Sequence, residues 1–153
     1  MKLSRVAAIF VVAAMIFSAC KKDDAQPESV FSFTFEGKQY VSSGTSAYYS
    51  DTVITGKKTL VIDGVTNNFK EHMQLMITSP DGEMPIGTYG GSAASLMPVT
   101  DSIESGYIGV SSINVEITSI NSKRAEGTFQ GTLSKSGETE KPLTDGTFKV
   151  NIN

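Results

Sequence analysis

The chain has 153 residues, with one cysteine, one histidine and no tryptophan. That length is one domain by size. Thirteen basic against 16 acidic side chains give a net charge of −3, which supplies no cationic footprint for nucleic acid.

Met1-Lys2-Leu3-Ser4-Arg5 is a short basic start, and Val6 to Phe17 follows as 12 residues without a polar one. A spanning helix needs about 20 residues. A short apolar run with a basic flank and small residues behind it has the build of a secretory signal peptide. Two other readings stay open. One is an uncleaved membrane helix, which Ser18, Ala19 and the double lysine after Cys20 leave no room to extend. The other is an ordinary secreted protein in which Cys20 is incidental.

Phe17-Ser18-Ala19-Cys20 resembles the lipobox of bacterial lipoproteins, with phenylalanine where leucine is more common. The resemblance implies cleavage between Ala19 and Cys20. It also implies a diacylglycerol on the Cys20 sulfur and an acylated amine. The physics suits an anchor, because one myristoyl-length chain holds a protein marginally at about 0.8 kcal/mol per buried methylene, whereas two or more hold it stably. With Cys20 consumed, disulfides, thiol catalysis and cysteine-based metal sites are all excluded. Losing residues 1–19 takes Lys2 and Arg5 with it, leaving 11 basic against 16 acidic side chains.

Residues 20–29 run Cys-Lys-Lys-Asp-Asp-Ala-Gln-Pro-Glu-Ser, with no large apolar side chain. They cannot bury enough surface to offset ordering entropy, so the segment reads as a flexible tether. Lys21-Lys22-Asp23-Asp24 resembles the acid-containing export signal of Bacteroidota surface lipoproteins. That favours the outer face of the outer membrane over a periplasmic linker.

From residue 30 to 153 the dominant period is two. Phe31, Phe33 and Phe35 alternate with polar residues. So do Leu60 and Ile62; Met73, Leu75 and Ile77; Ile113, Val115 and Ile117; Phe129 and Leu133; and Phe148, Val150 and Ile152. One apolar and one polar face per run predicts antiparallel strands. Glu36-Gly37 predicts a tight hairpin. Asn67-Asn68, with Asp63-Gly64 as the alternative, predicts the next turn, and Ser79-Pro80-Asp81-Gly82 another. Asn121-Ser122 and Ser136-Gly137 close the last two hairpins. The fold class expected is all-β, a single antiparallel β-sandwich or barrel-like domain.

Two stretches break the rhythm. Ser42 to Thr55 is Ser/Thr/Tyr-rich, and Gly90 to Ser105 is small, polar and irregular. Loops that long in a compact domain signal function or a missed strand, and part of each is expected to form an edge strand. Gly-Thr-aromatic recurs at Gly87-Thr88-Tyr89, Gly127-Thr128-Phe129 and Gly146-Thr147-Phe148. The intervals are unequal, so no repeat architecture follows. Each is expected to begin a strand, with threonine facing water and the aromatic facing the core.

Phe33-Thr34-Phe35-Glu36-Gly37-Lys38, the three Gly-Thr-aromatic triplets and the strand Ser112 to Ile120 together resemble small, uncharacterised Bacteroidota lipoproteins. Those carry one β-sandwich-like domain of unknown function. The resemblance covers most of Phe31 to Ile152 and implies fold and envelope location rather than a catalytic residue.

Chemistry is sparse in the sequence. His72 is alone and alternates with Met73 and Leu75, so it is expected to face outward, without the partners of a triad or imidazole metal site. The pairs Asp81/Glu83 and Asp101/Glu104 lack the ligand density of a calcium loop. No nucleophile elbow, phosphate loop or dinucleotide fingerprint occurs. No catalytic residue, metal site or cofactor is therefore expected. Tyrosines are the best binding candidates: Tyr48 and Tyr49, of which one must face out on a strand, and Tyr89 and Tyr107, which flank the irregular stretch. The function expected is a lipid-anchored, non-enzymatic cell-envelope module for display, binding or assembly. The alternative is a small-ligand or glycan binder with a pocket in the β domain. Its membrane partner is met through the acyl chains; a protein or glycan partner is not identifiable.

Overall fold

The computed structural model describes residues 27–100 and 106–153. The expected leader, the expected cleavage site at Ala19 and Cys20, and the expected tether as far as residue 26 lie outside them, as do Asp101 and Glu104.

Among the described residues, eight strands run in chain order: β1 (Val30–Phe35), β2 (Lys38–Ile54), β3 (Lys57–Thr66), β4 (Glu71–Thr78), β5 (Gly87–Pro98), β6 (Tyr107–Ile120), β7 (Arg124–Leu133) and β8 (Lys141–Asn151). Each pairs antiparallel with the next, and β8 returns to β1, so one sheet closes into a barrel. Closure is what removes sheet edges. The two edge strands expected from Ser42–Thr55 and Gly90–Ser105 are therefore central strands. β2 takes Lys38–Ile54 as one 17-residue run, and β5 takes most of the second stretch.

The small residues of β5 fit because they sit opposite large ones. Ala94 lies across from Leu75, and Leu96 from Met73. Gly91 takes a left-handed φ of 77° where the β5–β6 register shifts, so glycine there permits a bulge.

The first turn forms as expected. Glu36 and Gly37 both have positive φ, at 51° and 73°, the pattern of a two-residue hairpin turn that matches strand twist. The next turn falls at Asn67–Lys70, not at Asp63-Gly64, which stays inside β3. Gly64 is there for space: a Cβ would come within 2.7 Å of the Phe31 ring.

Inward-facing residues fill the barrel. Phe31, Phe33, Phe35, Phe129 and Phe148 join Leu60, Ile62, Met73, Leu75, Ile77, Ile113 and Leu143, all essentially buried. Phe33 stacks on Tyr40 at 5.0 Å between centroids and tilts against Phe129 at 6.4 Å. Two of the Gly-Thr-aromatic triplets prove to be partners. Gly127 lies opposite Phe148, Thr128 opposite Thr147, and Phe129 opposite Gly146. Each glycine makes room for the other triplet's ring: a Cβ on Gly146 would lie 2.6 Å from the Phe129 ring. Only Gly87 begins a strand; the other two triplets lie within β7 and β8. All three threonines face out and all three rings face in, as expected.

The barrel has two distinct ends. Val30, the β2–β3 turn, the Ser79–Ile86 loop, the β6–β7 turn and the C-terminus share one end, called here the tether end. The β1–β2, β3–β4 and β7–β8 turns and the β5–β6 connection share the other, the distal end. At the tether end β1 is too short to cover all of β2. The C-terminal residues cover part of it, with Ile152 bridging Ala47 in parallel and the Asn153 N–H donating to the Ala47 carbonyl at 2.9 Å.

Candidate functional site

The four candidate tyrosines do not converge. Tyr48 lies on the outer wall of β2 and is exposed. Tyr49, the next residue, turns inward and packs against the core at the tether end. The Lys58 ammonium sits 3.9 Å from its ring centroid. Tyr89 is buried near it, and its hydroxyl donates to the Pro85 carbonyl at 2.5 Å. Burial pushes both hydroxyls above the usual tyrosine range, and Tyr89 also feels Tyr49. Tyr107 alone sits at the distal end.

Tyr107 is the centre of a polar cluster on the distal rim. Its ring meets Phe35 edge-on at 5.0 Å. Its hydroxyl donates to Glu138 Oε2 at 2.7 Å and accepts from Lys141 Nζ at 2.6 Å. Lys141 also reaches Glu36 Oε1 at 2.6 Å and Glu138 Oε2 at 2.8 Å. Lys141 and Lys135 lie over the Tyr107 ring at 4.7 and 5.6 Å. The Lys141 and Tyr107 hydrogen bonds hold Glu138 at about 2. The Glu138, Glu36 and Tyr107 contacts raise Lys141 above the ordinary lysine range. The cluster ties the first turn to the last and to the start of β6. Beside it lies a hollow of about 250 Å³ lined by Phe35, Tyr40, Leu96, Pro98 and Tyr107, with Glu36, Glu71 and Lys135 at its margin.

The neighbouring turn carries a residue that strand periodicity does not single out. Phe69 is 70% exposed with φ of 58°. Left-handed backbone is unusual for a bulky side chain and costs of order 1–3 kcal/mol. The turn is held around it. Phe69 N–H donates to the Thr66 carbonyl at 2.8 Å, the Thr66 hydroxyl donates to Asn68 Oδ1 at 2.7 Å, and Lys70 N–H donates to the same oxygen at 3.0 Å. Val99, also exposed, is tied on through its N–H to the Lys70 carbonyl at 2.8 Å. Backbone strain held in place by its surroundings points to a function at that position, and Phe69 and Val99 are exposed apolar side chains at this end. The sequence signal was there: Phe69 is a lone aromatic inside an Asn-Asn-x-Lys turn, out of step with the alternation of β3 and β4.

A second concavity lies on the outer wall of β5 to β8. Thr88, Glu116, Thr128 and Thr147 form one row across four strands. With Asn114, Gln130 and Asp145 they line a polar groove of about 600 Å³. The three motif threonines thus meet on one surface, through strand register rather than sequence spacing.

His72 faces outward, half-exposed, as expected, but it has a partner. Its Nε2 is 2.7 Å from Asp63 Oδ1, and Gln74 Nε2 donates to the other carboxylate oxygen at 3.0 Å. The order of groups does not suit nucleophilic catalysis. The hydroxyl in register with this pair, on Ser46, is opposite Asp63 rather than His72, whereas a triad puts histidine in the middle. None of the concavities above includes either residue. Asp81 and Glu83 are exposed on the tether-end loop, and among the described residues no three histidine, cysteine or acidic side chains gather in a way that could hold a metal ion.

No family model matches the chain, and neither a curated protein nor a solved structure resembles it significantly.

Proposed function

We propose that this chain is a lipid-anchored, non-enzymatic module of the bacterial cell envelope, held at the outer membrane by acyl chains on Cys20. It displays its distal rim to a protein partner. The single observation that carries the display reading is the filled interior. A barrel that held a small ligand would keep its centre open, whereas five phenylalanines and the aliphatic residues between them occupy this one. The rim hollow, at about 250 Å³, falls short of the roughly 300–1,000 Å³ of ordinary ligand pockets; the concavities that reach that size, the outer-wall groove and a hollow of about 450 Å³ along the Ser79–Ile86 loop, lie outside the filled interior. What protrudes instead is Phe69 with Val99, at the end away from Val30.

The pattern of the wall supports an anchored barrel over an inserted one. Membrane-spanning barrels put apolar residues outward and polar ones inward. Here Asp63, Glu116, Thr128 and Lys149 face outward and the phenylalanines face inward. A lysine at the bilayer midplane costs about 2–4 kcal/mol. The acid-containing stretch after Cys20 and the likeness to Bacteroidota lipoproteins favour the cell surface.

Cys20→Ala tests the anchor. Labelled fatty acid should no longer enter the protein, and the protein should leave the membrane fraction; unchanged labelling would refute the assignment. Photo-crosslinking from position 69 in cells tests the display. A discrete protein adduct from position 69, absent when the crosslinker is at exposed Val110 on the wall, is expected.

The polar groove favours a second reading, glycan binding. Its hydroxyl, amide and carboxylate groups suit sugar hydroxyls. Its aromatic floor is buried, however: Phe129 is only 3% exposed, leaving no stacking face. Oligosaccharide binding lost in Glu116→Ala would promote this reading over display.

A further inference from the structure

Among the described residues, three exposed apolar side chains project from two connections at the tether end, which also carries Val30, 37% exposed, at the start of β1. Val53 and Ile54, at the β2–β3 turn, are 45% and 47% exposed, and Ile86, ending the loop before β5, is 63% exposed. They have no role in the core, the rim cluster or the groove. Isolated exposed apolar residues need no explanation. Here their placement relative to the anchor is informative.

The chain leading to Cys20 leaves from this same end, and it is pinned there. Asn151 Nδ2 donates to the Pro27 carbonyl at 2.6 Å, and Asn151 N–H donates to Ser29 Oγ at 2.8 Å. Arg124 Nη1 reaches the Pro27 carbonyl at 3.5 Å. Only the steps from Cys20 to Pro27 remain, and at most about 3.6 Å per residue they span no more than about 25 Å. A bilayer holding the Cys20 acyl chains is thus kept close to the end that carries Val53, Ile54 and Ile86.

Resting on the lipid-anchor reading above, we propose that the tether end is a membrane-contact surface. The β2–β3 turn and the Ser79–Ile86 loop seat Val53, Ile54 and Ile86 in the interfacial layer of the bilayer. The barrel then stands with Phe69 outermost. Interfacial binding of this kind scales with buried apolar area plus attraction to anionic lipid. The second contribution is small here, because Lys57, Lys58, Lys123 and Arg124 share this end with Glu28, Asp51, Asp81 and Glu83. Contact should therefore be nearly the same on zwitterionic and anionic lipid.

The full lipidated protein, carrying Ile54→Cys, Ile86→Cys or Phe69→Cys, gives the test. Each is labelled with an environment-sensitive fluorophore and reconstituted in phosphatidylcholine vesicles with or without phosphatidylglycerol. In the acylated protein the Cys20 sulfur is blocked, so the introduced thiol takes the label. Blue-shifted emission and quenching by spin-labelled lipid at 54 and 86, neither at 69, and little change with phosphatidylglycerol are expected. Adding Val53→Asp to the Ile86→Cys protein should abolish the shift at 86. Probes at 54 and 86 as water-exposed as the probe at 69, on protein that still floats with the vesicles, would overturn the contact and leave the anchor standing. A free Cys20 thiol and no flotation would overturn the anchor, and this inference with it.

Discussion

The two ends of the barrel are built from the same strands and closed by different physics. At the distal end a lysine, three carboxylates or hydroxyls and a tyrosine ring lock three connections together around Lys141. At the tether end the turns carry exposed Val53, Ile54 and Ile86, and the polar contacts instead pin the incoming chain to Asn151. A rim rigidified by charge suits presentation of a fixed surface, since preorganisation lowers the entropy cost of binding. An end that is apolar at its tips suits a soft, non-directional neighbour such as lipid. The contrast arises in the turns and loops, because the strands alternate alike throughout.

The largest effect should come from the one region both ends share. Phe33 stacks on Tyr40, which lines the rim hollow, and reaches Phe129 and Phe31. Phe33→Ala should cost about 3–5 kcal/mol, read as a lowered denaturant midpoint. Probes at Tyr107 and Tyr49 should report one coincident transition. Two separated transitions would show that the ends fold independently.

Acid should separate the ends. Glu138 is held at about 2 against an ordinary 4.5. A depressed carboxyl contributes stability above its unfolded value and loses it as pH falls through the folded one. The rim cluster should thus be intact above about pH 4.5 and come apart between there and about pH 2. Lys141 is raised, so its contribution is complete below the ordinary lysine value and survives mildly alkaline solution. At the tether end the hydrogen bond from Arg124, which also holds Asn151, lowers Glu126 as well, so amide exchange should quicken first around Tyr107 and Glu138 and to a smaller extent near Asn151. Glu138→Gln should remove the difference. Equal acid sensitivity at both ends in the wild type would mean that the cluster is ornamental to the rim.

Much of the barrel was legible in the sequence, and the reasons for the gaps are local. Alternation placed Phe31, Phe33 and Phe35, Met73 to Ile77 and Ile113 to Ile117 on the inner face, because a half-buried strand cannot hide its period. The Glu36-Gly37 turn was readable from backbone freedom alone. β2 and β5 were not, because their inward positions are held by Ala47, Ser92 and Ala94. Small residues carry no hydrophobic signal until the large neighbours opposite them are known. Closure was invisible for the same reason: pairing β8 with β1 joins Phe31 to Phe148 across the whole domain. The site was less legible still. Tyr49 and Tyr89 are inner-wall residues and Tyr48 an outer one, whereas Phe69 sits in a turn where periodicity has nothing to say. The meeting of Thr88, Thr128 and Thr147 depends on register, which spacing does not encode.

Phe69 separates stability from presentation at the distal end. Its left-handed backbone suits asparagine or glycine better. Phe69→Asn should therefore leave the denaturant midpoint unchanged or raise stability by up to about 1 kcal/mol, while the crosslink to a partner disappears. A loss of more than about 1 kcal/mol would show that the ring is packed, and the display reading would lose its main protrusion.

The smallest effect concerns one lysine–ring contact taken from each end. At the rim, Lys141 over Tyr107 belongs to a network, so its removal also takes the shared cation from Glu36 and Glu138. Near the tether, Lys58 over Tyr49 has a shorter contact, at 3.9 Å against 4.7 Å, but is not in an ion pair among the described residues. Distance alone would rank Lys58 higher; connectivity ranks it lower. An exposed cation–π contact is worth about 0.5–1 kcal/mol. Lys58→Met, which keeps most of the stem, should therefore cost less than about 1 kcal/mol in a denaturant titration and leave the acid transition at Tyr107 where it was. Lys141→Met should cost more and shrink that transition, since Glu36 and Glu138 lose the cation they share and Glu138 keeps only Lys135, at 3.5 Å. If the two substitutions prove equal, the distal rim is no more than a set of independent surface pairs, each worth little, and the contrast between the ends rests on the apolar tips alone.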